Sequence, residues 1–515
     1  MTGGRSLDQP STEEADREGC LRGPWSATGG IDAAREAQSH WASRPVRERL
    51  AVIRRLRQRM AIEPDRLLAA IRMPQKATAA EKLSQEVLPL AEACRFVERR
   101  AAKLLAPRRL STRHRPAWLL GSTVEITREP FGVVLVVAPW NYPLLLPGVQ
   151  AVQALAAGNA VLVKPGRGGA PVMTAFAELL YEAGLDRHLL QVLPEEAQAA
   201  TGAIEAGVDK VVLTGSADTG RRVLATAAPH LTPATMELSG CDAVFVLADA
   251  DPDRVAAALA FGLRLNAGAT CIAPRRVFIP RALAGALEKR LIEALRPLPP
   301  VAADAAAARC AVALAEEAVG EGARLAFGEL AVAERMQPLV LANASAAMRL
   351  LSSDVFAPVL AILPVDDEAA ALAAARACPY ALGATIFGSP AAARRFAARV
   401  RAGCVVINDM IAPTADPRFP FGGRGESGFG VTRGAEGLLE MTQIKAIALR
   451  RSRWLPHLDP PGPFDEPLMR AYLAAAHAGG WFCRCAAVGR LLRHLISFVR
   501  SSRKPSVREK NRDER

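Results

Sequence analysis

One of the nine cysteines in this 515-residue chain, Cys271, sits in unusual surroundings. In "NAGATCIAPRR", residues 266–276, it follows the small residues Ala267, Gly268, Ala269 and Thr270, with Arg275 and Arg276 close behind. A thiol that only packs wants apolar neighbours. A thiol that reacts wants backbone N–H groups, access for a substrate and help to become a thiolate. This open, electropositive stretch therefore reads as the setting of a nucleophile. The other eight cysteines have ordinary helix-like or loop-like neighbours, with no CxxC pair and no zinc-ligand spacing. The expectation is reduced cysteines, a cytoplasmic setting and no metal site.

The elements that must position Cys271 alternate along the chain. From residue 31 to about 106 the apolar positions recur every three or four residues, with arginines on the other face, which predicts helices. From residue 131 the pattern changes: "FGVVLVVAPW" is a continuous β-branched run, suited to a strand buried on both faces. Helical stretches then alternate with "NAVLVKPG", "LLQVL" and "DKVVLTGS". A second alternating series begins at "AVFVLADADPDRV" and passes through "RVFIP", "FAPVLAILPV" and "CVVIND". Two α/β series imply two lobes built on parallel sheets with a cleft between them, and Cys271 lies in a loop opening the second. "GSTVEITREP" and "EMTQIKAIAL" both alternate and could pair as an arm outside the lobes. The alanine-rich residues 302–316 read as helix.

The net charge of +13 is unevenly spread: residues 450–515 carry 14 Lys and Arg against six Asp and Glu, a net +8. The body is only mildly basic, and aromatics make up 5% of the chain with no stacking motif among the charges, which argues against nucleic acid. The N-terminus has no apolar core segment and carries acids, so it does not read as a signal peptide. In the tail, Val488, Leu491, Leu492, Leu495, Ile496, Phe498 and Val499 fall within an arc of ~160° on one helical face. Arg490, Arg493, His494 and Arg500 lie opposite. Arginines at 484, 490 and 493 forbid a transmembrane run. The helix either lies on an anionic bilayer or docks its apolar face on the body or a partner subunit.

Seven motifs occur in order: "PWNYP" (139–143), "GNAVLVKP" (158–165), "LTGS" (213–216), "MELSG" (236–240), "NAGATC" (266–271), "DVFAPV" (354–359) and "PFGGRGESGFG" (420–430). Together they resemble the aldehyde dehydrogenase superfamily, nearest its class-3-like branch, over roughly residues 31–447. The resemblance implies a two-lobed α/β fold: a Rossmann-type cofactor domain, an α/β catalytic domain and a small β oligomerisation arm. It makes Cys271 the nucleophile, Asn141 the oxyanion donor and Glu237 the base that activates water. Cofactor contacts fall to Trp140, Lys164, Gly215, Ser216, Gly220, Asp354 and Phe356, with NAD or NADP as cofactor. The pattern is broken in places: Gly166 and Arg167 stand where Ser and Glu are usual, Ala269 for Gln, Ser239 for Gly, Cys241 for Lys and Asp354 for Glu. Arg167 is expected to favour the 2′-phosphate of NADP, or else to point into solvent. Cys241 is expected to pack under the nucleophile loop.

The expected organisation is a disordered segment 1–30, a cofactor domain 31–237 with an arm strand near 121–130, and a catalytic domain 238–411. A return and oligomerisation arm 412–449 and a basic tail 450–515 follow. The expected activity is NAD(P)-dependent oxidation of a small-molecule aldehyde to a carboxylic acid through a thiohemiacetal and a thioester, by a cytoplasmic homodimer. A catalytically silent scaffold and a CoA-acylating enzyme are the alternatives. Peripheral contact with the inner face of a membrane is a further expectation for the tail.

Overall fold

The computed structural model describes residues 27–452, 455–458 and 460–502. The first helix, α1 (Ala27–Ser43), begins inside the stretch expected to be disordered; residues 1–26 lie outside the described residues. Helices α2 (Val46–Ile62) and α3 (Leu88–Leu104) follow. The three- and four-residue spacing buries Leu56 and Met60 of α2 and Leu90 and Val97 of α3, while Arg54 and Arg55 of α2 and Arg95, Arg99 and Arg100 of α3 are exposed. Arg49 is the exception, buried with its guanidinium on the Ala156 carbonyl.

The first sheet is built from β1 (Val133–Val137), β2 (Ala160–Lys164), β3 (Leu190–Val192), β4 (Lys210–Gly215) and β5 (Ala234–Leu238), all parallel. Every residue of β1 is buried, as a strand covered on both faces requires. Helix α4 (Leu145–Ala157) crosses from β1 to β2 with all its residues buried, and α5 (Ala217–Ala227) crosses from β4 to β5.

The second sheet contains β6 (Asp242–Val246), β7 (Pro274–Pro280), β8 (Arg324–Phe327), β9 (Leu339–Ala342), β10 (Val359–Val365), β11 (Gly383–Phe387) and β12 (Cys404–Ile407), in the order β8-β9-β10-β7-β6-β11-β12. It is parallel except where β8 meets β9. Helix α6 (Pro252–Arg264), capped by Asp251, connects β6 to the nucleophile loop, and the alanine-rich stretch forms α7 (Ala305–Gly320) with Asp304 as its cap.

The return segment adds a strand that the sequence did not suggest. Residues 428–429 form a short strand, β13, antiparallel to β5, so the first sheet runs β13-β5-β4-β1-β2-β3. Only Thr442–Arg450 enters the arm, a three-stranded sheet with Ser122–Pro130 at its centre and Arg108–Arg109 on the other side. Glycine makes the detour: Gly428 has φ of +91°, and a Cβ there would stand 2.0 Å from the Met236 carbonyl oxygen.

Residues 108–126 with 446–502 form a compact unit separate from the rest. Within it α8 (Asp465–His477) packs on α9 (Trp481–Ser502), and the Trp118 and Tyr472 rings meet edge to face at 5.1 Å. The tail helix is longer than its arc suggested. Its apolar face is largely uncovered: Val488, Leu492, Leu495 and Ile496 are exposed, and Trp481 and Phe482 are 74% and 84% exposed. Among the described residues no helix is long and apolar enough to cross a membrane.

Candidate active site

The end of β1 runs into the loop carrying Trp140 and Asn141. Asn141 is buried; its Nδ2 donates to the Ala269 carbonyl at 2.8 Å, and its own carbonyl accepts from Asn266 Nδ2 at 2.9 Å. Asn266 also donates to the Ala269 carbonyl at 3.0 Å, so one side chain ties the 139–143 loop to the nucleophile loop. Tyr142 Oη and Thr270 Oγ1 add a second tie of 2.8 Å.

The nucleophile loop winds tightly, with Asn266 and Ala267 both at φ of +52° and Gly268 at +72°. A Cβ on Gly268 would lie 2.6 Å from the Ala357–Pro358 peptide, so this glycine lets the loop seat against that segment. Gly240 abuts the other side, where a Cβ would meet the Cys271 carbonyl oxygen at 2.7 Å. Cys271 itself is half-buried.

Arg275 lies within electrostatic reach of the Cys271 thiol, but neither it nor Arg276 contacts the sulfur through a hydrogen bond among the described residues. Both are buried on β7, and their guanidiniums are spent on main-chain carbonyls. Arg275 donates to Gly268 at 2.5 Å and Ala357 at 2.7 Å, and Arg276 to Cys241 at 2.8 Å. The Cys271 thiol is instead pushed well up, first by loss of water and then by the charges of Glu237 and Asp242. Arg433, distant in sequence, opposes them.

Glu237, on β5, is 2% exposed. Its Oε2 accepts from Thr432 Oγ1 at 2.8 Å, while Oε1 has no protein partner. Burial raises its pKa above the ordinary carboxylate range, and Arg433 and the Thr432 hydroxyl pull it part of the way back. Thr432 and Arg433 were not identified from sequence; they follow "PFGGRGESGFG" but carry no pattern of their own. Cys241 is buried as expected, its Sγ 3.5 Å from the Leu351 carbonyl.

The cofactor candidates gather at the carboxyl ends of the first sheet. Chain order runs outward from β1 in both directions, which makes the crevice between β1 and β4 the switch point where dinucleotides bind. Lys164 ends β2, half-buried, its ammonium pKa lowered by burial against the pull of Glu195 and Glu196. Gly215 ends β4, and Ser216 caps α5 by accepting from the Thr219 N–H at 3.2 Å. The first N–H groups of α5 suit a pyrophosphate. Gly220 packs flush on Leu238, whose Cδ1 would be 2.9 Å from a Cβ. A Cβ on Gly166 would lie 2.3 Å from the Pro139 carbonyl carbon, so the backbones that follow β1 and β2 touch here. Trp140 and Phe356 face one another with ring centroids 6.2 Å apart. Asp354 lies close enough to Arg275 to act on its charge. This set of a cation, a helix start and two rings fits a nicotinamide dinucleotide. The Arg167 side chain is largely exposed, as one expected course had it; its Nη2 donates to Asp304 at 2.6 Å, and its guanidinium lies 5.7 Å from the Trp140 ring centroid.

The aldehyde dehydrogenase family model matches residues 25–447. This chain belongs to the aldehyde dehydrogenase family. A 4,4′-diapolycopene aldehyde oxidase from Methylomonas sp is 32% identical to it over 443 residues, 83% of each chain. An aldehyde dehydrogenase of Mycobacterium tuberculosis solved with NAD+ superimposes with a TM-score of 0.75 at 27% identity, over 84% of this chain and 92% of that one. An NADP-dependent glyceraldehyde-3-phosphate dehydrogenase of Bacillus halodurans C-125, solved with NADP, gives 0.75 at 28% over 83% and 91%. The chain is therefore an aldehyde dehydrogenase, an oxidoreductase that uses NAD or NADP and acts on a small-molecule aldehyde. The family match ends before α8 and α9 begin.

Proposed function

We propose that this aldehyde dehydrogenase makes a carboxylic acid through a covalent intermediate on Cys271. The Cys271 thiol, protonated at rest, releases its proton to solvent, and the thiolate adds to the aldehyde carbon, giving a thiohemiacetal whose oxygen carries negative charge. The Asn141 amide and the Cys271 backbone N–H donate to that oxygen; one amide N–H of Asn141 remains free to do so while the other holds Ala269. Trp140, Lys164, Gly215, Ser216, Gly220, Asp354 and Phe356 would hold a nicotinamide dinucleotide, which would supply the acceptor for the hydride lost as a thioester forms. Glu237 then takes a proton from water, and the hydroxide equivalent cleaves the thioester to the acid and frees the thiol. In this reading residues 31–237 form the cofactor domain and 238–411 the catalytic domain.

The observation that carries the reading is Glu237: a buried carboxyl of raised pKa with one oxygen free of protein partners, near enough to act on the Cys271 thiol. A CoA-acylating enzyme has no use for such a base. The test follows reduced cofactor with an aldehyde panel, with and without CoA. Cys271→Ala abolishes turnover, whereas Glu237→Gln gives one rapid equivalent of reduced cofactor and then stalls. Acyl-CoA as product, or no turnover by the wild type on any aldehyde, would replace the reading with the acylating or the silent one.

A second reading concerns assembly and location. We infer that the uncovered apolar face of α9, flanked by arginines, rests peripherally on an anionic bilayer. The outer arm strand Thr442–Arg450, with Ile447 and Leu449 exposed, supports pairing of two copies edge to edge. Light scattering gives the dimer's mass if this holds, and co-sedimentation with anionic liposomes tests the bilayer.

A further inference from the structure

Beneath the Asn141 loop lies an ion pair that the proposed chemistry does not use. Lys76, in the turn before the helical segment Ala79–Lys82, and Glu86, in the π-helical turn Leu83–Val87, are both 0% exposed and hydrogen-bonded to one another. A charged pair fully withdrawn from water is a weak source of stability, because desolvation consumes most of what the attraction supplies. Its geometry shows where the remaining bonding capacity goes. Lys76 Nζ donates to the Asn141 carbonyl at 2.8 Å, and its ammonium lies 4.1 Å from the centroid of the Tyr142 ring. The other oxygen of Glu86 accepts from the N–H groups of Leu144 at 3.2 Å and Leu145 at 2.7 Å, the start of α4. The pair therefore grips residues 141–145 at both ends. From the far side Asn266 holds the same Asn141 carbonyl. The Asn141 carbonyl is held by two donors, Lys76 and Asn266, and its side chain by the bond to the Ala269 carbonyl.

We propose that the Lys76–Glu86 pair is a positioning device for the oxyanion donor, setting the height and tilt of the Asn141 amide over Cys271 before substrate arrives. The proposal rests on the reading that Asn141 stabilises the thiohemiacetal oxygen. An oxyanion donor works through preorganisation, so a small displacement of the 141–145 segment lowers the rate without disturbing cofactor or substrate contacts elsewhere. The Lys76 charge also faces Glu81 on the adjoining turn, which lies within its electrostatic reach.

The test is a double-mutant cycle on the whole enzyme. Asn141→Ala is expected to lower kcat on the order of 100-fold. Lys76→Met is expected to lower kcat roughly 10-fold or more with KM for the dinucleotide unchanged, and in the Asn141→Ala background to lower it further by less than about 2-fold. With aldehyde deuterated at C1, a primary isotope effect on kcat is expected to emerge in Lys76→Met while the rate of Cys271 alkylation by iodoacetamide stays that of wild type. A role confined to folding would move the melting temperature and the active fraction, but not the isotope effect per active site. Because Lys76→Met strands a buried carboxylate, Lys76→Met with Glu86→Gln removes both charges together and serves as the folded variant, with the same non-additivity expected. If Lys76→Met, or the paired variant, costs the same factor in the Asn141→Ala background as alone, the pair does not act through Asn141. A near-wild-type kcat for Asn141→Ala would instead remove the oxyanion reading beneath the proposal.

Discussion

The carboxyl of Glu237 and the guanidinium of Arg433 set the pH at which the proposed hydrolysis runs. Glu237 acts as a base only when ionised, and burial holds its pKa above the ordinary carboxylate range, so the acidic limb of kcat lies above that range as well. Arg433 opposes the shift. Its guanidinium donates to the Thr414 carbonyl at 2.8 Å and lies 4.8 Å from the Phe421 ring centroid. Arg433→Leu removes a positive charge and raises the Glu237 pKa further, so the acidic midpoint of kcat moves up. A downward or absent shift in the pH profile would mean Arg433 does not act on the base. At this scale sequence reading proposes Asn141, Glu237 and Cys271, because each sits inside a recognisable local motif. It did not reach Lys76, Glu86, Thr432 or Arg433, which earn their places by meeting the motif residues in space. Nor did it show that the guanidiniums of Arg275 and Arg276 bond main-chain carbonyls, since adjacency to a cysteine does not name a side chain's partners.

Between residue and molecule, the element that most directly supports Glu237 is β13. It pairs Gly428 with Glu237 and leads the chain to Thr432, which holds the carboxylate. Gly428→Ala puts a methyl group 2.0 Å from the Met236 carbonyl at a φ of +91°. Left-handed strain in a non-glycine residue costs on the order of 1–3 kcal/mol, and the clash adds to it, so the short strand peels away. The expected outcome is a lowered melting temperature together with a slowed thioester hydrolysis, while the first equivalent of reduced cofactor still appears quickly. Loss of the burst in parallel with hydrolysis would show a global defect. The long buried strands β1, β7 and β10 were legible as apolar runs. β9 and β11 were missed: "LVLA" is only four residues, and "GATIF" contains a glycine and an alanine that carry little strand signal. β13 was missed because two residues of glycine-rich chain have no period at all; only the partner strand makes them a strand.

Across the whole molecule, charge and exposed apolar surface coincide in one place outside the family-matched region. Residues 467–508 contain no Asp or Glu, and α9 keeps Trp481, Phe482, Leu492 and Ile496 at the surface with Arg484, Arg490 and Arg493 on the same helix. The amphipathic pattern was legible in sequence. What such a face meets was not, because docking depends on surfaces remote in the chain. An uncovered face of this kind binds a bilayer by burying apolar side chains among acyl chains while the arginines meet anionic headgroups. Each basic side chain near such a surface contributes about 1 kcal/mol, so Arg490→Gln with Arg493→Gln should weaken partitioning into anionic vesicles roughly 30-fold. High salt screens the same attraction and should weaken binding of the full chain far more than that of the double variant. A chain ending near Pro456 should remain an active dehydrogenase in solution and lose sedimentation with anionic vesicles altogether. Equal sedimentation of the full and shortened chains, or binding that ignores both salt and the arginine changes, would assign the exposed face to protein contacts instead.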